Sequence, residues 1–277
     1  MKTIDIYLAH RDSIKFIEQQ VLLIRKYFKC NNGSKINIYG YVDGANEYIK
    51  NQMREIWKKN NVISIEIPNI INYINRDYSH PAESFGLAFT YVYQKYILNN
   101  NNISICLEND IFPFKDINIE DYVKDYEICG EVRFNAAHLP DRNVMFWLGC
   151  IIFNGEIMND RGLFSGEYGN ITNIKSGKTY NIDCGGHSYY WITKHNRKIR
   201  QMVTNGNTQY DGFSSLQCTP HNITNDIECL PEIFRESYLP YFRVLVYDDC
   251  IIHLERMGKE EDNLKQLWWT NCFNKII

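Results

Sequence analysis

The feature that most constrains this chain is the order in which two hydrophobic periods alternate along its first 110 residues. Thr3 to Ala9 (TIDIYLA) alternates apolar and polar side chains as a strand does. Ile14, Phe16, Ile17, Val21, Leu22, Ile24 and Tyr27 to Phe28 then recur at helical spacing, with Asp12 or Ser13 as the cap. A strand over Ile36 to Val42 (INIYGYV), a helix over Asn46 to Lys59 and a strand over Val62 to Ile67 follow. Ser84 to Leu98 predicts a buried helix, and after the Asn99 to Asn102 loop another strand begins at Ile103. An order of βαβαβαβ requires crossover connections, so it predicts a largely parallel sheet of nucleotide-binding type. Beyond residue 120 the spacing predicts strands over Glu127 to Phe134, Val144 to Phe153 and Phe242 to Val246, joined by Gly- and Asn-rich loops. No Pro/Ser-rich linker divides the chain, which predicts one domain over residues 1–277.

Composition narrows the partners. The 30 basic and 33 acidic side chains leave a net charge of -3, and no dense Lys/Arg run is available to neutralise a row of phosphates. Nucleic acid is therefore excluded as an expected partner. Nine cysteines are scattered without a CxxC pair, a pattern of free thiols in a reducing compartment. Asp5, His10, Arg11 and Asp12 interrupt any leader-like apolar run, and no stretch approaches the roughly 20 apolar residues of a membrane span. The expectation is a soluble, cytoplasmic protein with no membrane span.

The chemistry concentrates in Ile103 to Phe114, ISICLENDIFPF, where Glu108 and Asp110 stand between two apolar runs. An unpaired carboxylate near the interior is costly, so something must compensate it. Residues two apart on a strand share a face and stand about 6.6 Å apart. Glu108 and Asp110 are then expected to leave one face at the end of a parallel strand, where open α/β sheets bind ligands. Two such carboxylates suit a hard divalent cation that keeps sites open for substrate phosphates. Two other readings stand beside it: a glycosidase-type acid pair, and a strand cap at Glu108 followed by a turn at Asp110.

LENDIFPF, following an apolar strand that itself follows a helix, resembles the DxD segment of GT-A glycosyltransferases, with Glu in the first acid position. The resemblance implies a GT-A-like α/β fold, with a Rossmann-like first half over residues 1–115 continuous with a mixed central sheet. It implies an acceptor-binding and catalytic half over residues 116–277. Asp110 would coordinate Mn²⁺ or Mg²⁺ on the donor diphosphate, with Glu108 binding the same ion through water or touching the ribose. Asp43, after INIYGYV, matches the acid that contacts uracil or ribose. His10 and Arg11 fall in the base-binding loop, and His80 and Ser84 in the segment that contacts the sugar nucleotide. Phe146-Trp147-Leu148-Gly149, Phe153-Asn154 and Asp183-Cys184-Gly185-Gly186 resemble a W-x-G, F-N, D-x-G-G series of viral and bacterial glycosyltransferases. Trp147 is then the acceptor platform. Asp183 is the first choice for the catalytic base, where two glycines leave backbone room for a ligand, ahead of Glu156 and Glu167. His253, after the apolar Ile251-Ile252, would complete the metal site.

The implied reaction is metal-dependent transfer of a sugar from a nucleotide-diphosphate donor, a UDP-sugar, to a hydroxyl of a glycan or similar acceptor. Two alternatives stay open. A sugar nucleotidyltransferase needs a Gly-rich, basic triphosphate loop, and Leu8-Ala9-His10-Arg11-Asp12-Ser13 is not one. A catalytically inactive relative that binds carbohydrate or sugar nucleotide would keep the fold and lose the metal.

Overall fold

The computed structural model describes residues 2–11, 14–42, 47–68, 81–135, 143–194, 196–203, 209–210, 217–218, 230–239, 242, 244–254 and 263–277. Strand β1 (Thr3–His10) is buried along nearly its whole length, as a central strand covered on both faces must be. Ile4, Ile6 and Leu8 face one core layer, with Ile17, Val21 and Ile24 of helix α1 (Ile17–Tyr27) and Met53 and Trp57 of helix α2 (Glu47–Lys59). Tyr7 and Ala9 face the opposite layer, formed by Ala88, Phe89 and Val92 of helix α3 (Pro81–Val92). Trp57 closes on strand β2 (Lys35–Val42) at Gly40, where a Cβ would stand 2.3 Å from its ring.

Strands β3 (Ile63–Ile65), β4 (Ile103–Glu108), β6 (Ile128–Asn135), β7 (Asn143–Asn154) and β8 (Ile199–Gln201) complete a seven-stranded sheet in the order β8-β6-β7-β4-β1-β2-β3. The run β3-β2-β1-β4 is parallel throughout, and only β7 runs antiparallel to its neighbours. This is a mixed α/β fold with a mostly parallel sheet, as the sequence predicts. The chain steps outward from β1 to β2 and β3, then crosses back to lay β4 on the other side of β1. That reversal creates a topological switch point between β1 and β4.

A second sheet carries the other half of the site. Strands β5 (Ile111–Pro113), β9 (Val244–Tyr247) and β10 (Ile251–Leu254) pair antiparallel in the order β9-β10-β5. Phe112, Val246, Ile252 and Leu254 pack with Trp268, Trp269 and Phe273 of helix α4 (Asn263–Ile276). Helix α4 goes unread in the sequence because Leu264 and Leu267 are exposed and blur its apolar stripe. The expected helix over Ser84 to Leu98 is α3 followed by one π-helical turn, Tyr93–Ile97.

At the amino end of the sheet the buried Asp5 carboxylate accepts from the amides of Asn37 (2.9 Å), Asn102 (2.7 Å) and Asn100 (3.3 Å). The asparagine run before β4 is thus a cage of donors for a carboxylate that lies below water's reach. Cys30, Cys106, Cys129, Cys150, Cys184, Cys250 and Cys272 carry free thiols. No helix among the described residues is long and apolar enough to cross a membrane.

Candidate functional site

The site forms where β4 stops. Glu108 is the last residue of that strand, opposite Ala9 of β1, at the carboxyl edge of the switch point. The strand does not carry on to Asp110 as the alternation predicts. Asn109 and Asp110 form a turn, and β5 starts at Ile111. Strand β10 then lies against β5 with His253 opposite Ile111, and the Leu254 N–H donates to the Asp110 carbonyl at 2.9 Å. This pairing brings His253 Nε2 to 3.5 Å from Asp110 Oδ1, with both side chains largely buried.

Glu108, Asp110 and His253 each offer one ligand atom, and these atoms lie within 4.8 Å of one another. A cation with ligand bonds of about 2.1 Å needs its ligands within about 4.2 Å, so the group closes by roughly half an ångström at most. Asp110 Oδ1 and His253 Nδ1 are buried without a hydrogen-bond partner. A buried carboxylate oxygen left without a partner is costly, and a cation between the three groups removes that cost. The two carboxylates suit Mn²⁺ or Mg²⁺, and the imidazole is acceptable to Mn²⁺.

Trp147 forms the adjoining wall. Its ring centroid lies 4.7 Å from that of His253 and 5.7 Å from that of Tyr247. The indole folds back over Gly149, where a Cβ would stand 2.0 Å from it, which explains the W-x-G spacing. The Arg133 guanidinium covers the ring at 4.4 Å and donates to Glu131 Oε2 at 2.6 Å, while the Tyr247 hydroxyl donates to the same oxygen at 2.9 Å. Burial raises the Tyr247 phenol well above its ordinary pKa, and the neighbouring Glu131 carboxylate adds to the shift. Burial works to lower the Arg133 pKa, but the charge of Glu131 and the contact with Tyr247 outweigh it and hold the guanidinium charged.

The Asp183-Cys184-Gly185-Gly186 loop docks beside this wall. Gly185 has φ 86°, and a Cβ there would stand 2.2 Å from the Phe146 carbonyl. At Gly186 a Cβ would stand 2.1 Å from Ile182. The space beside the two glycines is taken by the Phe146 carbonyl and the Ile182 side chain. Asp183 Oδ1 accepts the Cys184 N–H at 2.7 Å. Burial raises the Cys184 thiol pKa well above its ordinary value, and the charges of Asp183 and Glu108 add to this, so the loop lies within electrostatic reach of the strand end. Gly185 N–H donates to the Gly166 carbonyl at 2.8 Å, next to Glu167, whose carboxylate stands 3.7 Å from His187 Nδ1.

Other expected residues fall elsewhere. Glu156 accepts Lys2 Nζ at 2.8 Å, at the amino end of β1. Seven residues of strand separate that end from His10, roughly 20 Å. The structure therefore does not bring Glu156 to the site. His10 ends β1 with its ring 1% exposed and 5.8 Å from Trp57. Burial lowers its pKa to about 3, so the ring is neutral at pH 7. Arg11 follows it half-buried, and Ser84 is buried on α3. Asp43 and His80 lie outside the described residues.

Sequence reasoning missed Gln20. It sits on the apolar stripe of α1 with Ile17, Val21 and Ile24, is 0% exposed, and donates to the Glu108 carbonyl at 2.6 Å and the Ile111 carbonyl at 2.9 Å. A glutamine at a core position of an amphipathic helix is the signal that marks it.

Fold and site together define a doubly wound α/β protein with a carboxylate-imidazole centre at its switch point. Scans against protein-family models and curated proteins return no match. Among the solved structures that resemble the fold are glycosyltransferases of GT-A type. Galactosyltransferase LgtC in complex with donor and acceptor sugar analogs is 11% identical, with TM-score 0.33, over 55% of this chain and 58% of that one. The bifunctional glycosyltransferase WbbM is 7% identical, with TM-score 0.41, over 73% of this chain and 39% of that one. Mouse xyloside xylosyltransferase 1 is 11% identical, with TM-score 0.37, over 56% of this chain and 68% of that one. The chain thus spans little more than half the length of LgtC and less of WbbM.

Proposed function

We propose that this protein is a metal-dependent glycosyltransferase that moves a sugar from a nucleotide-diphosphate donor, a UDP-sugar, to a hydroxyl of a glycan or similar acceptor. The observation that carries the reading is the convergence of Glu108, Asp110 and His253 at the switch point, with Asp110 Oδ1 buried and without a hydrogen bond. Asp110 and His253 would hold Mn²⁺ or Mg²⁺, with Glu108 as third ligand or bound through water. When bound, such an ion supplies Lewis acidity to a departing diphosphate.

The chain's own residues do the rest. Arg11 and Ser84, near the carboxyl side of the sheet, contact the donor, and Asp43 and His80 carry the same role from sequence alone. His10, neutral and enclosed, serves the donor pocket by shaping the end of β1. Trp147 is half-buried beside His253 and offers an apolar face to the C–H surface of an acceptor sugar. Asp183, or Glu167 on the same wall, accepts the acceptor hydroxyl proton. The acceptor oxygen then bonds to the anomeric carbon, and the bond from that carbon to the phosphate oxygen breaks with its electron pair leaving on the diphosphate.

A thermal-shift panel with UDP, GDP and CMP, with and without Mn²⁺, tests the reading on wild type and Asp110→Ala. A ligand that binds only the folded state, at 100 times its dissociation constant, adds about 2.7 kcal/mol of stability. UDP with Mn²⁺ is expected to raise the melting temperature of wild type, and EDTA or Asp110→Ala to abolish the rise. The reading fails if no nucleotide shifts the melt, or if the shift survives both EDTA and the substitution.

A further inference from the structure

The turn that presents Asp110 is held from two sides. From one side β10 takes the Asp110 carbonyl through the Leu254 N–H at 2.9 Å. From the other side Gln20 Nε2 donates to the Glu108 carbonyl at 2.6 Å and the Ile111 carbonyl at 2.9 Å. Those two carbonyls bracket Asn109-Asp110, so a single primary amide spans the turn with both of its N–H groups. An apolar side chain at this fully buried position would remove that donor from both carbonyls.

The amide is there for its donors. Gln20 Oε1 is buried and has no hydrogen-bond partner, so half of the group gains nothing from its position. Helix α1 is itself fixed at this point. Gln20 N–H donates to the Phe16 carbonyl at 2.9 Å, the Phe16 ring meets Phe112 edge-on at 6.3 Å, and Trp269 Nε1 donates to Gln19 Oε1 at 2.8 Å. The amide therefore reaches the turn from a rigid support.

We infer that Gln20 is a positioning residue for the cation centre: by bridging the Glu108 and Ile111 carbonyls it sets the separation of the Glu108 and Asp110 carboxylates, and so tunes divalent-cation affinity without touching the ion. This rests on the metal reading of the site. Partners that orient metal ligands from outside typically contribute 10- to 100-fold in affinity.

The test is isothermal titration of the full chain, metal-free, with Mn²⁺ alone at 25 °C. Gln20→Met keeps the length of the side chain and removes its donors. It is expected to remain folded and to weaken Mn²⁺ binding by about 10-fold or more. If the methionine variant does not fold, Gln20→Asn replaces it, with the amide one methylene short of the turn and the same loss expected. Asn102→Ala, at the opposite end of the sheet, controls for general loss of stability and is expected to leave the dissociation constant within about twofold. Wild-type binding with unchanged affinity in the Gln20 variant overturns the inference, and so does an equal loss in Asn102→Ala. A wild-type chain that binds no Mn²⁺ overturns the metal reading itself, a different result from the first two.

Discussion

His253 Nε2 stands 3.5 Å from Asp110 Oδ1 because β10 pairs with β5 in a register that sets His253 against Ile111. The proximity is a property of the strand pair and of neither segment alone. Removing either end should therefore empty the centre of cation without disturbing the large sheet. His253→Ala and Asp110→Asn are each expected to weaken Mn²⁺ binding by about 100-fold or more, beyond what an orienting partner contributes. Titration calorimetry on both variants checks this, and full affinity in either would remove that residue from the ligand set.

Gly149 gives the Trp147 indole its resting place, with a Cβ there only 2.0 Å from the ring. Gly149→Ala forces the ring away from the strand and from His253. Overpacking of this kind costs about 1–3 kcal/mol. Urea unfolding should register that loss, and the tryptophan emission of the folded variant should move as one indole changes surroundings. A variant with wild-type stability and spectrum would contradict the stacking.

Gly185 combines φ 86° with a Cβ position 2.2 Å from the Phe146 carbonyl. The left-handed backbone alone costs a side chain about 1–2 kcal/mol, and the close approach adds to it. Gly185→Ala is expected to lose more stability than Gly149→Ala, since a backbone carbonyl yields less readily than an indole edge. Parallel urea titrations of the two variants decide the order.

Arg133 and Glu131 are 7% and 1% exposed and bonded at 2.6 Å beneath Trp147. Arg133→Met leaves the Glu131 charge buried without its ion partner, which costs about 3–5 kcal/mol. The double variant Arg133→Met with Glu131→Gln should recover part of that loss. A double-mutant cycle in urea measures the coupling, and strictly additive effects would argue against the pair.

His10 sets a pH dependence. Burial holds its pKa at about 3, below the ordinary value of 6.5, so between those limits the unfolded chain binds a proton that the folded protein refuses. The stability contributed by the neutral ring is complete above pH 6.5 and declines as pH falls toward 3, by up to about 1.4 kcal/mol per pH unit. His10→Leu should flatten the fall in stability between pH 6 and pH 4 relative to wild type. Equal slopes for the two proteins would place the ring in water.

The parallel half of the sheet was legible because β1, α1, β2, α2 and β4 are long enough for their periods to speak. Glu108, Asp110 and His253 were legible by type and position, but their geometry was not. Strand alternation put Asp110 on β4, whereas a turn delivers it, and strands as short as β5 and β10 are set by pairing with distant chain and carry no period of their own. Depth along a strand was equally hidden. Nothing in the spacing of Phe153, Asn154 and Glu156 says that Glu156 meets Lys2 at the far end of the sheet. The DCGG glycines were visible as a backbone requirement, yet only packing tells whether a ligand or a neighbouring carbonyl fills the space. Gln20 was overlooked for the opposite reason: its helix was read from the apolar positions alone, and a polar residue among them on the buried face was passed over.

The pairing of β5 with β10 also orders events during synthesis. A ribosome has released β1 through β4, with Glu108 and Asp110, while β10 is still to be translated. The imidazole and the Leu254 N–H arrive together on that one late strand. A chain cut short ahead of Ile251 carries the two acids with neither, so the three side chains meet only once translation has passed Leu254.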